Sequence, residues 1–167
     1  MIVLGIDIGV TGAIAILQDG ELVNVHDMPC LDDGPVKRRN INAPLLASII
    51  YSTHAELAYV EHVSARPKEG PTGAFAFGRS RGVIEGVLAA AGVPVQFLTP
   101  VSWKRLTGVP PGTDKDAARS KAIARWPGKA ELFRRKLDHN RAEAALIGLA
   151  GIKRDKEETT WRRTSPA

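Results

Sequence analysis

Asp7 ends an apolar run made by Ile2, Val3, Leu4 and Ile6, and Glu61 closes a second run, Leu57 to Val60. A third acid, Glu143, lies in the Ala-rich stretch DHNRAEAALIGLAG. A carboxylate among apolar residues is costly unless a cation or strong donors compensate it. If the first two runs are neighbouring strands and the last stretch is a helix packed across them, the three side chains converge. Such a set suits two magnesium ions about 4 Å apart, one lowering the pKa of an attacking water and one stabilising a departing 3′ oxygen of a phosphodiester. A fourth ligand is sought on the face of Glu143, where positions i−3 and i−4 are Asn140 and His139. In an unbroken helix His139 lies about 40° around the axis from Glu143 and Asp138 about 140°. Geometry favours the histidine and ligand hardness the aspartate, which could instead cap the helix. For Asp7 two other readings stand: a turn aspartate capping a hairpin, or the first residue of a phosphate cradle formed by Asp7, Gly9, Thr11 and Gly12.

The elements that must position these acids are readable from pattern. Residues 2–8, 12–18 and 21–27 read as a three-stranded antiparallel meander, with Asp19-Gly20 as a tight-hairpin signal. Residues 31–40 are polar, contain Gly34 and Pro35, and read as a loop. A helix follows, with Asn42 as N-cap and Pro44 in its first turn. Residues 57–63 form the fourth strand, 64–73 a loop, and 74–92 a long helix in which Gly78, Gly82 and Gly86 recur every four residues. The simplest reading of that stripe is close packing of the helix on the sheet. A fifth strand over 93–100, a short helix from Pro100 to Gly108, a helix over 113–126 and a last helix over 138–153 complete the chain. Residues 154–167 are charged and unpatterned and are expected to fray as a flexible basic tail. The expected architecture is one α/β domain over 1–153, a mixed five-stranded sheet with helices on its faces.

The chain has 167 residues, 44% hydrophobic and 25% charged, with a formal net charge of +5. Residues 101–167 carry 16 Lys/Arg against 8 Asp/Glu, while residues 1–100 carry 7 against 10. A basic C-terminal part beside an acidic N-terminal one suits a polyanion held near carboxylates. No apolar run reaches membrane-spanning length, and the first residues read as a strand rather than a secretory signal. Cys30 is the single cysteine, and no Cys/His spacing suggests zinc, so a cytoplasmic setting is expected.

Six segments then occur in a telling order: GIDIGVTGAIA, AYVEHV, FAFGRSRGVIEGVLAAAG, TPVSWKRLTG, DKDAARSKAIARWP and DHNRAEAALIGLAG. Together they resemble the RuvC-type Holliday junction resolvases, in particular the shorter forms encoded by bacteriophages. The resemblance covers residues 1 to about 152. It implies an RNase H-like fold with helices on both faces of the sheet, and Mg²⁺-dependent endonuclease activity on four-way DNA junctions. It also implies two ions per site, with Mn²⁺ able to substitute, and a homodimer that nicks two opposed strands. By position, Asp7 matches the first-strand catalytic aspartate, Glu61 the fourth-strand glutamate, and Glu143 the final acid of the last helix, where the bacterial enzymes have Asp. Some members use His in the third metal position, which makes His139 the first choice and Asp138 the second.

Basic and aromatic residues fit DNA handling. Phe75 and Phe77 follow the loop after the catalytic strand, near Lys68, Arg79 and Arg81, and a ring there could stack on bases at an open junction centre. Lys104, Lys115, Arg119, Lys121 and Arg141 are candidate phosphate contacts. Trp103 is read as an anchor for its short helix. The glycine-striped helix is expected near a homodimer interface. A general branched-DNA or flap nuclease would need the same residues. An actin- or sugar-kinase-like ATPase is disfavoured by chain length and by the lack of a second glycine-rich phosphate loop.

Overall fold

The computed structural model describes residues 1–33, 38–62, 70–110, 112 and 115–164. Strands β1 (Ile2–Asp7), β2 (Ala13–Gln18) and β3 (Glu21–Asp27) form the expected meander. Asp19 and Gly20 both take positive φ, 53° and 90°, the geometry a two-residue hairpin requires. Strands β4 (Cys30–Asp33) and β5 (Arg38–Ile41) make a separate hairpin where a loop was expected. Asp32 lies opposite Arg39 and Asp33 opposite Arg38, so charged cross-strand partners replace the apolar alternation that usually marks a strand.

Helix α1 (Ala43–Thr53) is capped as expected by Asn42, whose side chain accepts from the Leu45 amide at 3.1 Å. Strand β6 (Leu57–Glu61) and helix α2 (Pro71–Ala90) follow. The helix starts three residues before the expected position because Pro71 suits the first helical turn. Strand β7 (Val95–Leu98), helix α3 (Pro100–Thr107) and helix α4 (Lys115–Arg125) come next. Two 3-10 segments, Pro127–Phe133 and Lys136–Asp138, lead into helix α5 (His139–Thr164).

The five-stranded sheet has the order β3-β2-β1-β6-β7, antiparallel through β3, β2 and β1 and parallel through β1, β6 and β7. Alternation sends Val3, Leu17 and Tyr59 into a core shared with α3, α4 and α5. Leu4, Ile6, Ile14 and Val60 enter a second core with α1 and α2 on the other face.

Helix α5 lies on the sheet at a distance only glycine permits. A Cβ on Gly5 would stand 2.1 Å from the Ala144 carbonyl oxygen, and one on Gly151 would stand 2.2 Å from the Tyr59 ring. The helix does not end near Lys153 as expected but is continuous to Thr164. Arg154 bonds the Gln96 side chain and the Phe97 carbonyl, and the Tyr59 hydroxyl donates to Asp155 at 2.7 Å. Burial and this bond to Asp155 push the Tyr59 phenol far above its usual range. These ties hold the helix to the sheet just past Lys153.

The glycine stripe of α2 behaves differently from the simplest expectation. Ser80, Ile84 and Leu88 are its buried residues, whereas Gly78, Gly82 and Gly86 are exposed, and a Cβ on any of them would meet nothing within 4 Å. The stripe faces away from the sheet.

Candidate active site

Asp7 and Glu61 are the terminal residues of two adjacent parallel strands. Ile6 lies opposite Val60, so Asp7 and Glu61 are the next step along each strand, about 4.8 Å apart in backbone spacing. Both continue the faces of Gly5 and Tyr59, and so belong to the side covered by α5. Asp7 is 7% exposed. Glu61 is half-buried, and its Oε1 accepts from the indole Nε1 of Trp103 at 2.8 Å. Trp103 therefore anchors α3, as expected, and also reaches the strand-end acid, a link the sequence did not signal.

Glu143 lies one turn into α5. Residues eleven apart share a helix face to within about 20°, so Glu143 shares a face with Arg154, which reaches β7. Arg141, about 160° away around the axis, bonds Asp27 at the end of β3 through Nε and Nη2, both at 2.6 Å. Glu143 is thus on the β6–β7 flank of the helix, the flank of Glu61. Three acids from β1, β6 and α5 occupy one end of the sheet.

Asp138 is not brought to this group. Its side chain is 2% exposed and accepts from the Arg135 amide at 2.7 Å and from the Arg135 guanidinium at 2.8 and 3.0 Å, with Arg141 at 3.8 Å. Burial alone would raise its pKa, but these donors and charges outweigh burial and hold the carboxyl below its ordinary value. Asp138 caps the short 3-10 segment that starts after Arg135, not α5, so the expected N-cap of the last helix is corrected as well. His139 opens α5, with Nδ1 3.0 Å from the Lys136 carbonyl. A proton on Nδ1 would leave Nε2 with the lone pair a metal ligand needs. Asn140 donates to the Thr11 carbonyl at 2.5 Å, tying α5 to the turn after Asp7.

Within that turn the Gly12 amide donates to the Gly9 carbonyl at 3.0 Å, and a Cβ on Gly12 would stand 2.1 Å from the Asp7 carbonyl oxygen. An amide that a phosphate cradle would aim at its ligand is engaged within the turn itself.

Among the described residues, no three His, Cys, Asp or Glu side chains stand close enough together to hold a metal ion. The Glu61 side chain is turned to Trp103 and that of Asp138 to Arg135. Asp7, Glu61 and Glu143 all carry carboxylate oxygens, the donor class a hard divalent cation prefers.

Of the candidate DNA contacts, Phe75 is 74% exposed, while Phe77 packs against the α1–α2 core. Arg79 is exposed on the outer face of α2, and Arg81 pairs with Glu85 and stands 4.9 Å from the Phe97 ring centre. Lys104 is half-buried, its Nζ 5.3 Å from the Trp103 ring centre. Lys121 is exposed beside Gly108 at the end of α3. Arg119 and Arg141 are turned inward. Arg119 donates to the carbonyls of Phe133 and Arg134 and to Asp116, and Arg141 clamps Asp27. Lys68 and the side chain of Lys115 lie outside the described residues.

No protein-family profile and no curated protein sequence matches this chain. Among solved structures it is similar to Thermus thermophilus RuvC, at 19% identity and a TM-score of 0.61, with 95% of this chain and 98% of that one covered. It is similar also to T. thermophilus RuvC in complex with a Holliday junction substrate, at 18% identity and a TM-score of 0.67, with 95% and 97% covered. The fold is that of RuvC. The mixed five-stranded sheet read from the sequence is the observed one. Among the described residues no helix is long and apolar enough to cross a membrane.

Proposed function

We propose that this protein is a Mg²⁺-dependent endonuclease that cuts four-way DNA junctions. One observation carries the reading: Asp7 and Glu61 end adjacent parallel strands, and Glu143 lies on the helix that crosses them. The similarity in fold to a RuvC bound to a junction supports the substrate class.

Asp7, Glu61 and Glu143 would hold two divalent ions, Mg²⁺ or Mn²⁺, with His139 completing the set. When bound, the ions supply Lewis acidity to an attacking water and to the departing oxygen. Asp7 is fixed by its place in β1 and by the tight Gly9–Gly12 turn. Asn140 holds the start of α5 to that turn, so His139 and Glu143 keep their distance from the strand ends. Phe75, exposed at the start of α2, supplies a ring for an unpaired base, a contact worth about 1 to 3 kcal/mol. Arg79, Lys104 and Lys121 provide charge for phosphates.

The protein acts as a homodimer, placing two sites on opposed strands. The outward Gly78, Gly82 and Gly86 stripe lets a second helix approach closely, and a two-fold contact would pair the stripe with its own copy. A monomer by light scattering at micromolar concentration, with and without junction DNA, would remove the dimer from this account.

The deciding experiment uses purified protein, Mg²⁺, and matched four-way, three-way, flap and linear duplex DNAs. Selective cutting of the four-way substrate is expected, and equal cutting of flaps and three-way forms would replace the reading with a general branched-DNA nuclease. Asp7→Asn should abolish cutting while junction binding persists, because loss of a negative charge relieves repulsion from phosphate. Near-normal cleavage by that variant would overturn the site.

A further inference from the structure

A cleft of about 470 Å³ lies between the turn after Asp7, the β4–β5 hairpin and the start of α5. That volume is in the range of clefts that take one small organic ligand, about 300 to 1,000 Å³. Its lining combines two chemistries. Met28, which is buried, and Leu137, which is 77% exposed, supply apolar surface. Arg39 of β5 and Arg135 supply guanidiniums. The carboxylates in this region are already matched. Arg141 clamps Asp27, and Asp138 holds Arg135 through Nε and Nη2 at 3.0 and 2.8 Å. The bond to Asp138 fixes the direction of the Arg135 guanidinium and leaves its Nη1 edge outside the pair. With these pairs set against each other, Arg39 is the guanidinium in excess. Asp32, its cross-strand neighbour, is exposed and is not part of the lining.

Resting on the nuclease reading above, we propose that this cleft receives one unpaired nucleotide of the DNA strand, its base against Leu137 and Met28 and its phosphate against Arg39 and Arg135. An anion joined to a flat, largely apolar ring matches such a lining. Guanidiniums bind phosphate oxygens through paired N–H donors, and the ring removes exposed leucine surface from water. Inorganic phosphate alone would leave the leucine uncovered and most of the volume empty. A paired base does not fit, because its partner and its stacked neighbours come with it. The nucleotide must leave the stack, which costs least where pairing is already interrupted, as at the centre of a branched DNA. The lining includes Thr11 and Gly12, in the turn after Asp7, so a strand laid across the strand-end acids has a nearby nucleotide within reach of the cleft. The site is separate from Phe75, which is on α2 and no part of the lining.

The test is binding of a fluorescein-labelled short oligothymidylate, read by anisotropy in EDTA, with a duplex of the same length for comparison. Leu137→Ser should weaken single-strand binding about fivefold, the effect of losing part of a leucine's burial, and leave its salt dependence unchanged. Arg39→Gln should lower the slope of log affinity against log salt by about 0.7, the value for one phosphate contact on a single strand. Duplex binding should change in neither variant. Val101→Ser removes a side chain that is 78% exposed and outside the cleft, and should change nothing. Wild-type affinity in both cleft variants overturns the proposal, and so does an equal loss for the duplex or in Val101→Ser. If a variant fails to fold, the Thr11 and Gly12 amide resonances of the wild type decide. Both thymidine 5′-monophosphate and the oligothymidylate should move them. Movement with the free nucleotide alone makes this a free-nucleotide site and overturns its assignment to DNA; movement with neither overturns the site. Binding in EDTA is independent of cutting. Wild-type protein that binds the oligothymidylate through the cleft yet cuts no branched DNA overturns the nuclease reading. Junction cutting together with unaltered binding in Leu137→Ser and Arg39→Gln removes only the cleft.

Discussion

In α5, Gly148 and Gly151 lie against the sheet, where a Cβ would stand 2.5 Å from Leu17 and 2.2 Å from Tyr59. In α2, Gly78, Gly82 and Gly86 recur at helical spacing and meet nothing within 4 Å. The difference comes from what surrounds each helix. Helix α5 is buried on all sides between Ala144 and Ile152, because α3 and α4 flank it and the sheet lies beneath, so its glycines mark the closest approach. Helix α2 covers one edge of its core with Ser80, Ile84 and Leu88 and leaves its opposite face outward. Glycine spacing on a helix reports a smooth face but not which surface that face meets.

The strongest way to break this contrast is to fill both kinds of glycine. Gly5→Val, which drives a branched side chain into the backbone of α5, should cost about 3 kcal/mol or more in denaturant unfolding. Gly82→Val should change stability by less than about 0.5 kcal/mol, since valine is a slightly better helix former than glycine. Equal losses in the two variants would mean that the glycine face of α2 also packs against the protein.

The start of α5 offers a sharper comparison between two neighbouring residues. His139→Ala should slow Mg²⁺-dependent cleavage at least about tenfold, on the order of 1.4 kcal/mol in the barrier. Asp138→Ala should be nearly as active as the wild type and lose about 1 to 3 kcal/mol of stability, because the Arg135 amide and guanidinium lose their acceptor. A dead Asp138→Ala with an active His139→Ala would exchange the two roles.

Asp138 also makes this region acid-sensitive. Asp27 is held low by its bonds to Arg141, against an opposing effect of burial, and Asp138 by the donors described above. The unfolded chain therefore takes up these protons first as pH falls. Their contribution to stability is complete above the ordinary carboxylate range and is lost as pH drops below about 4. Urea unfolding from pH 7 to 3 should show that loss, with a shallower decline in Asp138→Asn.

A last comparison returns to α2. Gly82→Ala should stabilise the folded monomer by about 0.5 to 1 kcal/mol through helix propensity. Gly82→Leu should separate the dimer by analytical ultracentrifugation while leaving the monomer folded.

The sequence alone determined the meander, the Asp19-Gly20 hairpin, the Asn42 cap and the strand-end positions of Asp7 and Glu61, because each rests on local conformation or on a periodicity within one element. It did not reveal β4 and β5, whose charged cross-strand pairs conceal the usual alternation. Nor did it extend α5 to Thr164, since the ties that order residues beyond Lys153 reach Tyr59, 96 positions away, and Gln96. The same limit governs the site. Arg119 and Arg141 look in the sequence like groups available to a phosphate, and the tertiary structure engages them in the Phe133 and Arg134 carbonyls and in Asp27, while Asp138 is taken by Arg135 three positions before it. Trp103 looks like a core residue and proves also to hold Glu61. Local pattern decides where a charged or aromatic side chain is mounted, but its partner comes from a distant segment, and only the packed chain determines which partner that is.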